Sequence, residues 1–293
     1  MVLGILRRPN VLGEEHPGTL NVRSKIAAQK GFQGHFIDAE AELRAVWEIQ
    51  KRHDDLGAEH LDTLITHACI ASQMGSQGRY TDAEAEFRTV WEIVRRPDMF
   101  GDEHPNTLNT RANVASQMGI QGRYTDAEAE LRAVWEIQKR HDDLGEEHLD
   151  TLVVRANIAN LMGNQRHYTD AEAELRAVWE ILRRPDVLGE EHPDTLITRA
   201  QIAEQMSSQN FYTDAEAKLR AVLGILRRPD VLGEEHSRIM RVKFCLAKTL
   251  DPQGKHEEAT ELLADLRKNM LVQITDNHVW IKELDAFLAA REF

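Results

Sequence analysis

The strongest constraint on the fold is a sentence that the chain repeats. From Tyr124 to Arg140 it reads Y-T-D-A-E-A-E-L-R-A-V-W-E-I-Q-K-R. Close copies run from Tyr80 to Arg96, from Tyr168 to Arg184 and from Tyr212 to Arg228, with a weaker one from Phe36 to Arg52. The copies keep strict register. Ala39, Ala83, Ala127, Ala171, Ala215 and Ala259 recur every 44 residues, and so do His16, His60, His104, His148, His192 and His236. A fixed period of roughly 20–50 residues marks a solenoid or propeller. Stacked units share no single core, so 293 residues imply an array rather than the globules such a length would otherwise allow.

One unit, from His104 to Arg140, reads as a helical hairpin. Pro105 suits a first helical turn, where a missing N–H goes unmissed. Leu108, Val114, Ala115 and Met118 then follow at helical spacing, and Gly119 and Gly122 are expected to end the helix. Thr125 and Glu128 have the spacing of a capping box that would open the second helix. That helix carries Ala127, Leu131, Val134, Trp135 and Ile137 on one broad face, and Lys139 and Arg140 suit its C-terminal dipole. β-Branched runs are absent. The expected fold is therefore all-α: a right-handed α-solenoid of six hairpins starting near residues 16, 60, 104, 148, 192 and 236. Residues 1–275 form the array, with a half-helix at 1–8, because Val2–Arg8 repeats Val222–Arg228. Residues 276–293 supply an amphipathic capping helix, read over Asn277–Arg291 with Trp280, Leu284, Phe287 and Leu288 on its apolar face.

Composition narrows the function. Apolar residues make up 42% of the chain, enough for a thin core in each unit, and the net charge is −13. An acidic chain with no large basic block is a poor ligand for nucleic acid or anionic membrane. No apolar run approaches the roughly 18–20 residues that span a bilayer. Cys69 and Cys245 lie far apart and fit a reducing compartment, so a cytoplasmic location is expected.

The unit resembles the tetratricopeptide repeat. Ile70-Ala71 and Met74 occupy the small and large positions of the first helix, Gly78 and Tyr80 the turn, and Ala83, Phe87 and Val90 those of the second. The usual unit has 34 residues. The longer unit here, with its L-G-E-E-H-P-D-T-L connector, is similar to that of kinesin light chains and of bacterial and fungal repeat arrays. Two departures stand out. Arg23, His67, Arg111, Arg155 and Arg199 replace a bulky apolar residue early in the first helix, and Trp47, Trp91, Trp135 and Trp179 stand where leucine is common. The resemblance implies a non-enzymatic scaffold or adaptor whose first helices line a concave groove for a protein or peptide. A self-associating array joined through its ends, and the sensor arm of a larger signalling ATPase or effector, are the alternatives.

Four sets of residues recur in register. The tryptophans read as knobs packed between neighbouring hairpins, since Val90, Val134 and Val178 beside them point to a buried face. The histidines read as loop-to-helix junctions, because no nucleophile recurs with them. His53-Asp54-Asp55 and His141-Asp142-Asp143 match no standard metal-site spacing, so neither metal nor cofactor is expected. The basic ladder of Arg23, His67, Arg111, Arg155, Arg199 and Lys243 reads as structural pairing with second-helix glutamates such as Glu84, Glu128 and Glu172. Arg111, Arg155 and Arg199 remain candidates to clamp carboxylates of a bound chain. Asn113, Asn157 and Gln201 sit beside the packed stripe, and Ser116, Asn160 and Glu204 follow three residues later. Amides both donate and accept, which suits an extended peptide backbone. No catalytic constellation is found: Gly254-Lys255 is followed by His256 and lacks the glycine spacing of a phosphate loop.

Overall fold

The computed structural model describes residues 12–233, 236–270 and 279–289, and every regular element among them is helical. Hairpin one pairs α1 (Pro17–Phe32) with α2 (Phe36–Arg52), and hairpin two pairs α3 (Leu61–Ser76) with α4 (Tyr80–Val94). The third repeat supplies α5 (Pro105–Ile120) and α6 (Tyr124–Arg140), and hairpin four pairs α7 (Leu149–Asn164) with α8 (Tyr168–Leu182). Hairpin five pairs α9 (Pro193–Ser208) with α10 (Tyr212–Leu226). Hairpin six pairs α11 (Ser237–Leu250) with α12 (His256–Met270) through a 3-10 turn, and α13 (Val279–Ala289) packs against α12. The chain forms two compact units, residues 12–117 and the described residues from 118 onward, divided within α5. The half-helix expected at Met1–Arg8 lies outside the described residues. So do Asn277, His278, Ala290 and Arg291 and the side chains of Trp280 and Leu288; Ile281 and Leu284 of α13 are buried.

Each second helix buries one row. In α8 it is Ala171, Leu175, Val178 and Leu182, at the i, i+4, i+7, i+11 spacing of a single helical stripe. The first helices begin on histidine. The Nδ1 of His16, His60, His148, His192 and His236 accepts the backbone N–H two residues on at 3.0–3.2 Å, capping α1, α3, α7, α9 and α11. His104 does the same for Asn106 at 3.1 Å. The role that Ser or Asp usually fills thus falls to imidazole, which must be neutral at Nδ1 to accept.

Two local expectations fail. The second helices start two residues earlier than a capping box requires. Arg123 is the cap of α6 and makes no side-chain cap bond, so Thr125 lies inside the first turn. The cause is the tight turn before it, where Arg123 N–H returns to the Met118 carbonyl and only Gln121, Gly122 and Arg123 separate the helices. Gly119 does not end α5 either. It is helical, and a Cβ there would meet Leu161 Cδ2 at 2.6 Å, so its value lies in the close approach of the next first helix. The left-handed turn position is Gly122, at φ +86°, and Arg166 and Asn210 take the same conformation one and two repeats later.

Within each unit, successive hairpins are tied by a polar ladder. Glu128 accepts from Gln165 at 2.6 Å and Glu172 from Gln209 at 2.7 Å. In the first unit Glu40 accepts from Gln77 and Arg79. Burial alone pushes the Glu40 carboxyl up, but hydrogen bonds from Gln77 and Arg44 and the charge of Arg79 outweigh it, so Glu40 titrates below the ordinary range. Glu216 shows the same balance, with Lys255, Arg220 and Gln253 opposing burial.

Candidate functional site

The sequence-predicted site residues all lie on first helices. In α5, Asn113 is exposed, Arg111 and Ser116 are half-buried, and the Ser116 hydroxyl donates to the Ala112 carbonyl at 2.9 Å. In α7, Arg155, Asn157 and Asn160 are half-buried; in α9, Arg199 and Glu204 are half-buried and Gln201 is only 9% exposed. The structure does not gather these residues on one face. Residues two apart on a helix point roughly 200° apart, so arginine and amide take opposite flanks. The Arg155 Nε donates to Glu174 of α8 at 2.6 Å, so the arginine flank faces its own hairpin. The other flank turns toward the next repeat: Glu204 accepts from Arg241 of α11 at 3.4 Å, and Gln201 lines a tight gap with Val242 and Cys245. That contact buries Gln201, which sequence spacing alone places beside the packed stripe.

The basic ladder is structural in the hairpins where its pairs are seen. Arg23 meets Glu42 at 2.9 Å, His67 meets Glu86 at 2.6 Å, Arg155 meets Glu174, and Lys243 meets Asp265 at 2.9 Å. The acids are not Glu84, Glu128 and Glu172 as sequence reading proposes. Glu42, Glu86 and Glu174 sit two residues further along the second helix, because the earlier glutamates are committed elsewhere: Glu84 to Arg88, and Glu128 and Glu172 to Arg132 and Arg176 and to the next repeat's glutamine.

The tryptophans are half-buried rather than core knobs. Trp47 packs at the edge of the cluster formed by Ala27, Leu43, Ile70, Met74 and Ala83. Its open face is covered by Lys51, whose Nζ lies 3.8 Å from the ring centroid, and Arg95, Lys139 and Arg183 cover Trp91, Trp135 and Trp179 in the same way at 4.6, 3.8 and 4.6 Å. Each stacking face is therefore already occupied by a cation one turn on. At His53 and His141, Nδ1 accepts from Asp55 and Asp143 N–H at 3.1 Å. Among the described residues no group of three or more His, Cys, Asp or Glu side chains is disposed to hold a metal ion, and no helix is long and apolar enough to cross a membrane.

Comparison with known proteins agrees with this geometry. The tetratricopeptide-repeat family model matches residues 151–194, one full unit of the array. No curated protein matches the chain. A kinesin-light-chain-type protein of Podosopora anserina with nearly identical TPR-like repeats is 23% identical, with a TM-score of 0.50 over 70% of this chain and 93% of that one. BtubC (BKLC) of P. vanneervenii is 15% identical, with a TM-score of 0.53 over 86% of this chain and 91% of that one. A Rap protein complexed with competence and sporulation factor is 12% identical, with a TM-score of 0.62 over 93% of this chain and 73% of that one. The matched unit is a tetratricopeptide repeat, and the described helices are similar in fold to all-α arrays of such repeats.

Proposed function

We propose that the chain is a non-enzymatic scaffold or adaptor that binds a protein or peptide along its first helices. The observation that carries this reading is the state of the amide row. Asn113 is exposed, Asn157 and Asn160 are partly exposed, and none makes a hydrogen bond among the described residues. Amides that recur in register along the chain, as Asn113 and Asn157 do, can each give and take one hydrogen bond from an extended backbone while tolerating varied side chains. Ser116, Gln201 and Glu204 border that row, and Arg111, Arg155 and Arg199 stand on the opposite flank. A rigid helical wall also lowers the ordering cost of an extended ligand. The likeness to a Rap protein captured with competence and sporulation factor supports the reading at the level of fold.

The test is capture of the partner from the native cell, followed by titration calorimetry against Asn113→Ala, Asn157→Ala and Asn160→Ala combined. Each lost hydrogen bond is expected to weaken binding by on the order of 1 kcal/mol. The helical spectrum and denaturant midpoint of the triple variant serve as controls. A folded triple variant with unaltered affinity would move the partner off this row.

A further inference from the structure

Hairpin five departs from the ion-pair rule that the other hairpins display. In hairpins one, two, four and six a first-helix cation meets an acid on its own second helix, as Arg23–Glu42, His67–Glu86, Arg155–Glu174 and Lys243–Asp265. The bounds of α9 and α10 lie 44 residues beyond those of α7 and α8 at both ends. Arg199 therefore takes the place of Arg155, and the place of Glu174 falls to Lys218. Two cations face the same seam. Neither makes a hydrogen bond or ion pair among the described residues. The acids around them do not compensate. Glu174 is held by Arg155, Glu180 by Arg183 and Glu204 by Arg241, and Asp214, one turn before Lys218, is exposed and meets no cation among the described residues.

We infer that Arg199 and Lys218 together hold a carboxylate of an acidic partner segment, in the position that Glu174 fills one repeat earlier. The inference rests on the peptide-binding reading above and names the chemistry of the partner. In hairpins one, two and four the side chain received at this place is a carboxylate, so the seam is dimensioned for one. Both cations are half-buried. A guest carboxylate converts their mutual repulsion into two charge-assisted hydrogen bonds, for which the arginine fork has the right geometry. The chain as a whole is acidic, so attraction of this kind is local to the seam rather than a property of its net charge.

The experiment uses the full chain at low ionic strength and a fluorescein-labelled, amidated peptide of alternating glycine and glutamate, read by anisotropy. Its glutamine counterpart is the neutral control. The glutamate peptide is expected to bind at least about tenfold more tightly than the glutamine one, in line with the strength of hydrogen bonds to charged groups. Lys218→Glu rebuilds the Arg–Glu pair of the other hairpins and is expected to abolish that preference without lowering the melting temperature. Arg199→Glu, which pairs with Lys218 in reverse, is expected to do the same. Lys25→Glu, an exposed site on α1, changes the net charge equally and should leave binding unaltered. Competition by free acetate at concentrations comparable to the peptide would show that a lone anion suffices and that no segment is read. The proposal is overturned if Lys218→Glu and Arg199→Glu bind as the unmodified chain does, if Lys25→Glu weakens binding as much, or if no preference for glutamate exists. Equal binding of both peptides would retire this seam while leaving the amide row intact. Loss of the captured partner's affinity on Asn113→Ala, Asn157→Ala and Asn160→Ala with no effect of Lys218→Glu would do the same.

Discussion

Hairpins four and five bury equivalent rows, Ala171, Leu175, Val178 and Leu182 in one and Ala215, Leu219, Val222 and Leu226 in the other, on helices of equal length. They differ at Glu174, Trp179 and Glu180, which become Lys218, Leu223 and Gly224. The comparison separates two kinds of position. The buried rows set the geometry of the hairpin, because interiors tolerate little change in volume. The seam and edge positions can change charge and size while the helices keep their bounds. Chemistry that distinguishes one repeat from another must therefore be sought at the edges, against a backbone that hardly varies.

The largest expected effect tests the shared part. Leu175→Ala and Leu219→Ala remove fully buried side chains, and each should cost on the order of 3–5 kcal/mol in a denaturant titration. The two costs should agree within about 1 kcal/mol. A larger gap would mean that the hairpins are not packed alike despite their register.

The next test concerns an edge. Trp179 is half-buried beneath Arg183, so Trp179→Ala should cost about 2 kcal/mol, less than a fully buried indole. At Leu223 the smaller residue borders an open cleft of about 260 Å³ lined also by Gly224, Leu246 and Leu262. Leu223→Trp should therefore change stability by less than about 1 kcal/mol, where the same enlargement in a closed core typically costs roughly 1–3. A penalty in that range would show that the cleft does not admit the ring.

The histidine caps extend the comparison to hairpin six, where Arg238 stands in the place of Asp150 and Asp194. His192→Ala removes the acceptor for Asp194 N–H and should cost about 1 kcal/mol. At His236 both burial and the nearby Arg238 charge disfavour the imidazolium and hold its pKa below the ordinary value. The unfolded chain then binds the proton more readily. The contribution of His236 is present above about pH 6.5 and is lost as the pH falls through that value toward the lower folded one. His236→Asn keeps an acceptor at the cap without titrating, so it should flatten part of the decline in denaturant midpoint on acidification. An unchanged pH profile would remove His236 from the acid response.

Much of this was readable from residues alone, for a physical reason. A repeated apolar stripe dictates helix, pairing and stacking at once, so six registered copies of Ala127, Leu131 and Val134 declare the fold. Hydrogen-bond choice is not periodic in the same way. Glu84 and Glu86 both look available to a basic ladder, and only the helix rotation assigns the pair to Glu86 and leaves Glu84 to Arg88. Thr125 and Glu128 match a capping box in spacing, yet the start of α6 at Tyr124 puts Thr125 two residues too deep. Gln201 looks exposed by helical angle, and the next repeat covers it. The imidazole caps could have been inferred from histidine before each first helix. Lys218 was visible as a break in the aligned glutamates, but it means little until the pair at Glu174 is seen.

The smallest effect carries the sharpest distinction, because it is a difference of sign. Glu174 pairs with Arg155 across a partly exposed seam, and such pairs typically contribute about 0.2–1 kcal/mol. Glu174→Ala should lower stability by an amount in that range. Lys218→Ala removes a like charge from Arg199 and should raise stability, or leave it level, by a similarly small amount. Both effects should shrink in roughly 1 M salt, where screening acts over about 3 Å. The measurement is a pair of denaturant titrations at low and high salt, with each variant set against the unmodified chain. If Lys218→Ala instead destabilises the chain as Glu174→Ala does, Lys218 is making an attractive contact of its own. The two hairpins would then differ in which acid they use rather than in whether one is present.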